Sequence, residues 1–300
     1  MYLMKYIVTP ALLFIFLFWG CTAQEDNIGI DLTTVQDSTS IIYTITGLDG
    51  PEAVRFDPDQ NVYFISNFTG GGNTQDSTGF ITKANSEGRV TELKFMTGTE
   101  DAPLHAPRGM YITGETLWVA DVLGIHGFNT STGSQTDFID FSEFQIGFLN
   151  DVVADQNGVL YVTDTGTSKV YEIDGTEVSV FLEDLAHAPN GITLNPNSGK
   201  FLLAPWNGGQ TFYEFNSAGE LEEFATLQGG YFDGIEFIGT HLFSASQADS
   251  SIRIYRPMKE KVLIKTTGRP ADIGINIHKN HIAVPYIALD KVEIWDISNQ

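Results

Sequence analysis

The sequence has 300 residues and a single cysteine, Cys21, so no internal disulfide can form. Basic residues are scarce, 16 Lys and Arg against 38 Asp and Glu, giving a formal charge of -22. A surface of that sign repels phosphate backbones and argues against nucleic acid as a partner. The carboxylates are spread along the chain and form no acidic tail. The six histidines show no mutual spacing of a metal-binding set. From Ile41 onward no stretch carries the 3.6-residue apolar period of an amphipathic helix.

The one long apolar run, Ile7 to Trp19, follows Lys5 and is broken only by Thr9 and Pro10. It is too short for a comfortable membrane span and fits the core of a signal peptide. Gly20-Cys21 at its end resembles a bacterial lipoprotein processing site, although Phe18 stands where leucine is usual and bulky Trp19 lies beside the cut. On this reading residues 1–21 are a lipoprotein-type signal peptide, Cys21 is the lipidated first residue, and 22–40 form a flexible tether. The rest of the protein is then expected in the bacterial cell envelope (periplasm or outer membrane), touching the membrane through its lipid anchor only, or secreted.

What the remaining chain has in abundance is short β-type runs and thirty glycines. One phrase recurs: a polar head, a short apolar strand, a turn, and a richer second strand. The six heads are Gly50-Pro51-Glu52, Ala106-Pro107-Arg108, Phe148-Leu149-Asn150, Ala188-Pro189-Asn190, Tyr231-Phe232-Asp233 and Arg269-Pro270-Ala271. Their third residues are spaced by 56, 42, 40, 43 and 38 residues, the period of propeller blades. The last copy lacks an outer strand, and Ile41-Ile42-Tyr43-Thr44-Ile45 is left over before the first head. Pairing that strand with the last blade closes a ring and hides two sheet edges. Residues 41–300 are therefore expected to form an all-β, six-bladed propeller closed by its N-terminal strand. The long first spacing reflects an insertion, Asn67 to Thr78, expected as a surface loop overhanging one face.

In a propeller the innermost strand of each blade lines the axis, so one head residue per blade converges there. Here these are Glu52, Arg108, Asn150, Asn190, Asp233 and Ala271. Two carboxylates and two amides are all oxygen donors, the set that a hard cation such as Ca²⁺ needs. No Cys or His joins them, which disfavours zinc. Any one of these residues alone is an ordinary turn former; four at six equivalent positions are not. Arg108 is the anomaly. At about 6 to 7 Å from a divalent cation its guanidinium meets a repulsion of about 5 kcal/mol at an effective dielectric near 20. It is expected to pair with a carboxylate or to face an anionic substrate.

These heads resemble the senescence marker protein, gluconolactonase and luciferin-regenerating enzyme family over roughly residues 45 to 297. In that family a glutamate, two asparagines and an aspartate hold one divalent cation, and residue by residue they fall on Glu52, Asn150, Asn190 and Asp233. The resemblance implies a Ca²⁺-dependent (or Mn²⁺- or Mg²⁺-dependent) hydrolase of lactones or related esters, with Asp233 doubling as catalytic general base. It departs from the sugar lactonases at Phe148, where they carry a substrate-binding arginine. The expected substrate pocket is accordingly apolar, with Phe68, Phe148, Trp206 and Tyr231 as wall residues and Arg108 as a substrate contact. His105, three residues before the second head, is expected as an exposed loop residue. Two other readings compete. One is a non-catalytic, NHL-like propeller that binds a protein or glycan partner. The other is a strictosidine-synthase-like enzyme, for which Glu236 is the weak catalytic candidate.

Overall fold

The computed structural model describes residues 39–298. The signal peptide, Cys21 and nearly all of the tether lie outside the described residues. Among those described are 24 strands in six four-stranded antiparallel sheets and one short 3₁₀ turn. Five sheets follow the chain in order, each blade running from its innermost to its outermost strand. The sixth takes its first three strands from the end of the chain and its outermost from Ser40–Thr46, which pairs antiparallel with Lys291–Asp296. The ring closes as the repeat count required, starting at Ser40 inside the stretch expected as tether.

The burial pattern explains the composition of the strands. Leu160–Asp164, the second strand of blade three, is buried at every position because neighbouring blades cover both of its faces. The outermost strand of the same blade, Glu177–Leu182, has no fully buried residue. The apolar clusters lie between blades. One joins Ala120, Ile125 and Ile139 of blade two to Leu149, Val152, Val162 and Tyr171 of blade three. The hairpin turn between the first two strands of blade three is set by Asp155, whose Oδ1 accepts from the backbone N–H of Asn157 (2.8 Å) and of Val159 (2.9 Å). Gly158 follows at φ 87°, a conformation that side chains disfavour.

Candidate metal and substrate site

Four heads occupy the same place in their blades. Glu52, Asn150, Asn190 and Asp233 are each the second residue of an innermost strand: Pro51–Asp57, Leu149–Ala154, Pro189–Leu194 and Phe232–Ile238. In each of these strands the pairing with the second strand shifts register at the head, between Pro51 and Val54, Leu149 and Val152, Pro189 and Ile192, and Phe232 and Ile235. Such a bulge frees the head from the ladder and re-aims its side chain. Hydroxyls from the second strands satisfy the freed backbone. Ala53 N–H donates to Ser66 Oγ (2.9 Å), Asp151 N–H donates to Thr163 Oγ1 (3.0 Å), and the Thr163 hydroxyl donates to the Asn190 carbonyl (2.6 Å).

The four side chains line one cavity of about 490 Å³ together with Phe68, Phe148, Thr165, Gly166, Trp206, Asn207, Gln247 and Ile287. The four are 3–5% exposed. Glu52 Oε2, Asn190 Oδ1 and Asp233 Oδ1 are buried acceptors with no hydrogen-bond partner. Asn150 turns its nitrogen away, donating from Nδ2 to Thr165 Oγ1 (3.0 Å), so the amide oxygen is its unengaged end. Gln247 Nε2 donates to Asp233 Oδ2 (2.5 Å). Burial, reinforced by the carboxylates of Asp233, Asp272 and Asp151, pushes Glu52 well above the usual carboxylate range, with Arg108 opposing. Burial and the Asp272 carboxylate push Asp233 up to about 8, against the Gln247 hydrogen bond and the charge of Arg269.

Leaving buried acceptors without partners is costly, and native interiors rarely do so. The charge balance points the same way. Glu52, Asp151, Asp233 and Asp272 are buried and interact with one another, and only Arg55 and Arg108 offset them with buried positive charge. Arg55 also faces Glu236, and Arg108 also faces Asp121 and Asp164, so buried carboxylates outnumber buried guanidiniums around the axis and a bound cation would offset the excess. The donor set fits a hard oxygen-seeking ion. No cluster of three or more His, Cys, Asp or Glu in metal-binding arrangement occurs among the described residues, because this set mixes two carboxylates with two amides.

Arg108 departs from expectation. It is fully buried and does not line the cavity. Its guanidinium donates to the carbonyls of Leu149 (2.7 Å) and Gly72 and to Asn73 Oδ1 (2.8 Å), and it stacks 3.7 Å from the centre of the Phe148 ring. It has turned away from the axis to hold down the inserted loop, and burial lowers its pKa to about 10. The loop comes very close at Gly72, where a Cβ would lie 3.1 Å from Phe148 Cε2. His105 also serves the loop: it is buried, and its Nδ1 accepts from Ser77 N–H (3.0 Å). The expected exposed histidine is thus a loop anchor. Phe68, Phe148 and Trp206 lie in the cavity wall. Tyr231 is 40% exposed and outside the lining, packed edge-on against Trp206.

Several residues went unread in the sequence. Thr165, Gln247 and Ile287, like Phe68 and Trp206, each follow the second strand of their blade directly. They form a second convergent ring, one step outward from the heads. Asp164, fully buried, accepts from the backbone N–H groups of Gly147, Phe148, Gly166 and Thr167 and from the Thr167 hydroxyl, fixing the segment that carries Phe148. Asp121 does the same in blade two, accepting from His105 N–H (2.9 Å) and Ala106 N–H (2.7 Å). Deeper on the axis, Arg55 Nη2 pairs with Asp272 Oδ2 (2.8 Å) and Asp151 Oδ1 (3.4 Å). Glu236 sits at the opposite end of the axis, 3.7 Å from Arg55 Nε, and lines a separate cavity there.

No protein-family profile and no curated protein matches the sequence. Solved structures do match in fold. A gluconolactonase from Xanthomonas campestris superposes with a TM-score of 0.66 at 13% identity, covering 86% of this chain and 89% of that one. A streptogramin B lyase gives 0.62 at 13% identity, covering 86% and 96%. Virginiamycin B lyase from Staphylococcus aureus gives 0.59 at 15% identity, covering 86% and 99%. The shared architecture is the six-bladed propeller. At these identities it speaks for the fold, and function must be argued from the site.

Proposed function

We propose that this propeller is a divalent-cation-dependent hydrolase of lactones or related esters, with Ca²⁺, Mn²⁺ or Mg²⁺ held by Glu52, Asn150, Asn190 and Asp233. The observation that carries the reading is the convergence of three partnerless buried acceptors on one cavity wide enough for a small molecule. When bound, the cation supplies Lewis-acid polarisation of the substrate carbonyl. The chain's own residues do the rest. Asp233, its Oδ2 fixed by Gln247, takes the proton from an attacking water as the new carbon–oxygen bond forms. It returns that proton to the departing ring or alcohol oxygen as the ester bond breaks. Phe68, Phe148 and Trp206 exclude water and position the rest of the substrate. Export and lipidation at Cys21 belong to the same proposal.

The gluconolactonase neighbour agrees with this reading. The lyase neighbours include a catalytically inactive histidine-to-alanine variant solved with quinupristin. Among the described residues no histidine lines the cavity. A panel of lactones and esters assayed with Ca²⁺, Mn²⁺, Mg²⁺ or chelator is the test. Turnover that vanishes with chelator and in Glu52→Gln supports the proposal. Bound cation with no turnover on any substrate would leave the NHL-like binding propeller as the better reading. An Asp233→Asn variant that kept both cation and full turnover would remove the base role.

A further inference from the structure

The cavity has a polar floor and an apolar collar. The floor is Glu52, Asn150, Asn190 and Asp233, and the collar is Phe68, Phe148, Trp206 and Ile287. Among the described residues no Lys, Arg or His lines it. Arg108, expected to meet an anionic substrate, has its donors committed to Leu149, Gly72 and Asn73 and its face against Phe148. Arg269, whose charge reaches Asp233, is exposed and outside the lining. A divalent cation would be balanced by Glu52 and Asp233, so the floor would carry no net positive charge. A pendant carboxylate on the ligand, away from the cation, would then lose hydration against the collar and find no basic side chain there. The collar offers few hydrogen-bonding groups either. Besides the floor, polar side chains come only from Thr165, Asn207 and Gln247, and Thr165 and Gln247 are engaged with Asn150 and Asp233. A hydroxyl-rich ligand would leave much of its polar surface facing Phe68, Phe148, Trp206 and Ile287.

Building on the lactone and ester reading above, we propose that the substrate carries an uncharged apolar pendant group, aryl or alkyl, packed on Phe148 and Trp206, and is neither a polyhydroxylated nor an anionic lactone. Burying about 100 Å² of apolar surface at about 25 cal/mol per Å² corresponds to a preference of roughly 70-fold.

The test separates binding from turnover. Calorimetry on the Ca²⁺-loaded protein compares δ-valerolactams carrying a hexyl, phenyl, polyhydroxyalkyl or carboxymethyl group, and the matching lactones are assayed for hydrolysis. The expected result is at least about tenfold tighter binding of the hexyl or phenyl lactam. That advantage should be lost in Phe148→Ser and in Trp206→Ser and kept in Phe148→Leu. Trp206→Ser keeps the test decisive if the Phe148 variant disturbs Arg108. Equal or tighter binding of the polyhydroxyalkyl lactam would overturn the inference. So would a preference for the carboxymethyl lactam, whether or not Arg269→Ala abolishes it, or no binding by any lactam. If the apolar lactams bind as expected but no lactone is hydrolysed, the inference stands and the hydrolase reading falls.

Discussion

Replacing Arg55 by methionine removes the cation that lies between two buried carboxylates while keeping most of its volume. Arg55 is 7% exposed and contacts Asp272 Oδ2 at 2.8 Å, Asp151 Oδ1 at 3.4 Å and Glu236 Oε1 at 3.7 Å. Its Nη1 also donates to the carbonyls of Val54 (2.9 Å) and Ile273 (3.0 Å), joining blades one and six. Breaking a buried pair from one side costs about 3 to 5 kcal/mol, because the partner charge is stranded. Protonation limits the loss. A carboxyl with an ordinary pKa near 3.9 is neutralised at a cost of about 4 kcal/mol at pH 7 but only about 1.5 kcal/mol at pH 5. In the variant the folded pKa values of Asp151 and Asp272, already raised by burial, rise further. Stability is therefore present at low pH and lost as pH rises. Urea unfolding in chelator, followed by tryptophan fluorescence, should show about 4 kcal/mol of destabilisation at pH 7 and less than half of that at pH 5. Adding Asp272→Asn should recover a large part. A loss below about 1 kcal/mol at pH 7, or one unchanged between pH 5 and 7, would refute the view of Arg55 as an internal counter-ion.

Two further predictions concern the site itself. In metal-free protein, Glu52 and Asp233 have folded pKa values above their unfolded ones, Asp233 at about 8. Their contribution is full below about pH 4 and is lost as pH rises through those folded values, so the melting temperature in chelator should fall between pH 6 and 9. Saturating Ca²⁺ should flatten that slope, and at 100 times Kd it should add about 2.7 kcal/mol; a melting temperature independent of pH in chelator would contradict the assigned burial of these groups. Asp164→Ala strands the N–H groups of Gly147, Phe148, Gly166 and Thr167. It should cost about 3 kcal/mol or more in denaturant unfolding and raise KM more than it lowers kcat, since it loosens Phe148 and not Asp233.

The blade count, the closure and the four oxygen-bearing heads were legible because all of them depend on position within a repeat. Ser40–Thr46 pairs with Lys291–Asp296 because an unpaired outer strand and an unpaired edge have one mutual solution. The direction of Arg108 was not legible. It is decided by the Gly72 carbonyl and Asn73, which come from an insertion that no other blade has. The burial of His105 follows from the same insertion through Ser77. Of the second ring only Phe68 and Trp206 were read, as wall residues, although the signal for the rest was present. Phe68, Thr165, Trp206, Gln247 and Ile287 hold one register in the repeat, but they share no residue type and so do not look like a motif.

The residue after each head teaches a different lesson. Gly109, Gly191 and Gly234 follow their heads directly, and none of them has a positive φ. What they provide is room. A Cβ on Gly109 would lie 2.2 Å from Asp151 Oδ1, one on Gly191 2.4 Å from the Asp233 carbonyl oxygen, and one on Gly234 2.3 Å from Asp272 Oδ1 and from Ile273 N. At the same repeat position blades three and six carry Asp151 and Asp272, the partners of Arg55. The bulge that aims the head at the cavity thus places the next residue deeper on the axis, where only some blades have space for a side chain. Gly234→Ala tests this directly. Its new methyl meets the Ile273 backbone as well as a carboxylate held by Arg55, so a rotamer change of Asp272 cannot relieve it. The expected loss is about 3 kcal/mol in urea unfolding, at the upper end of overpacking costs, with weaker Ca²⁺ binding because Asp233 is the adjacent residue. A stabilising effect would instead mean that the site has room for a Cβ, since replacing a glycine at an ordinary φ without a clash gains about 0.4 to 1 kcal/mol by restricting the unfolded chain.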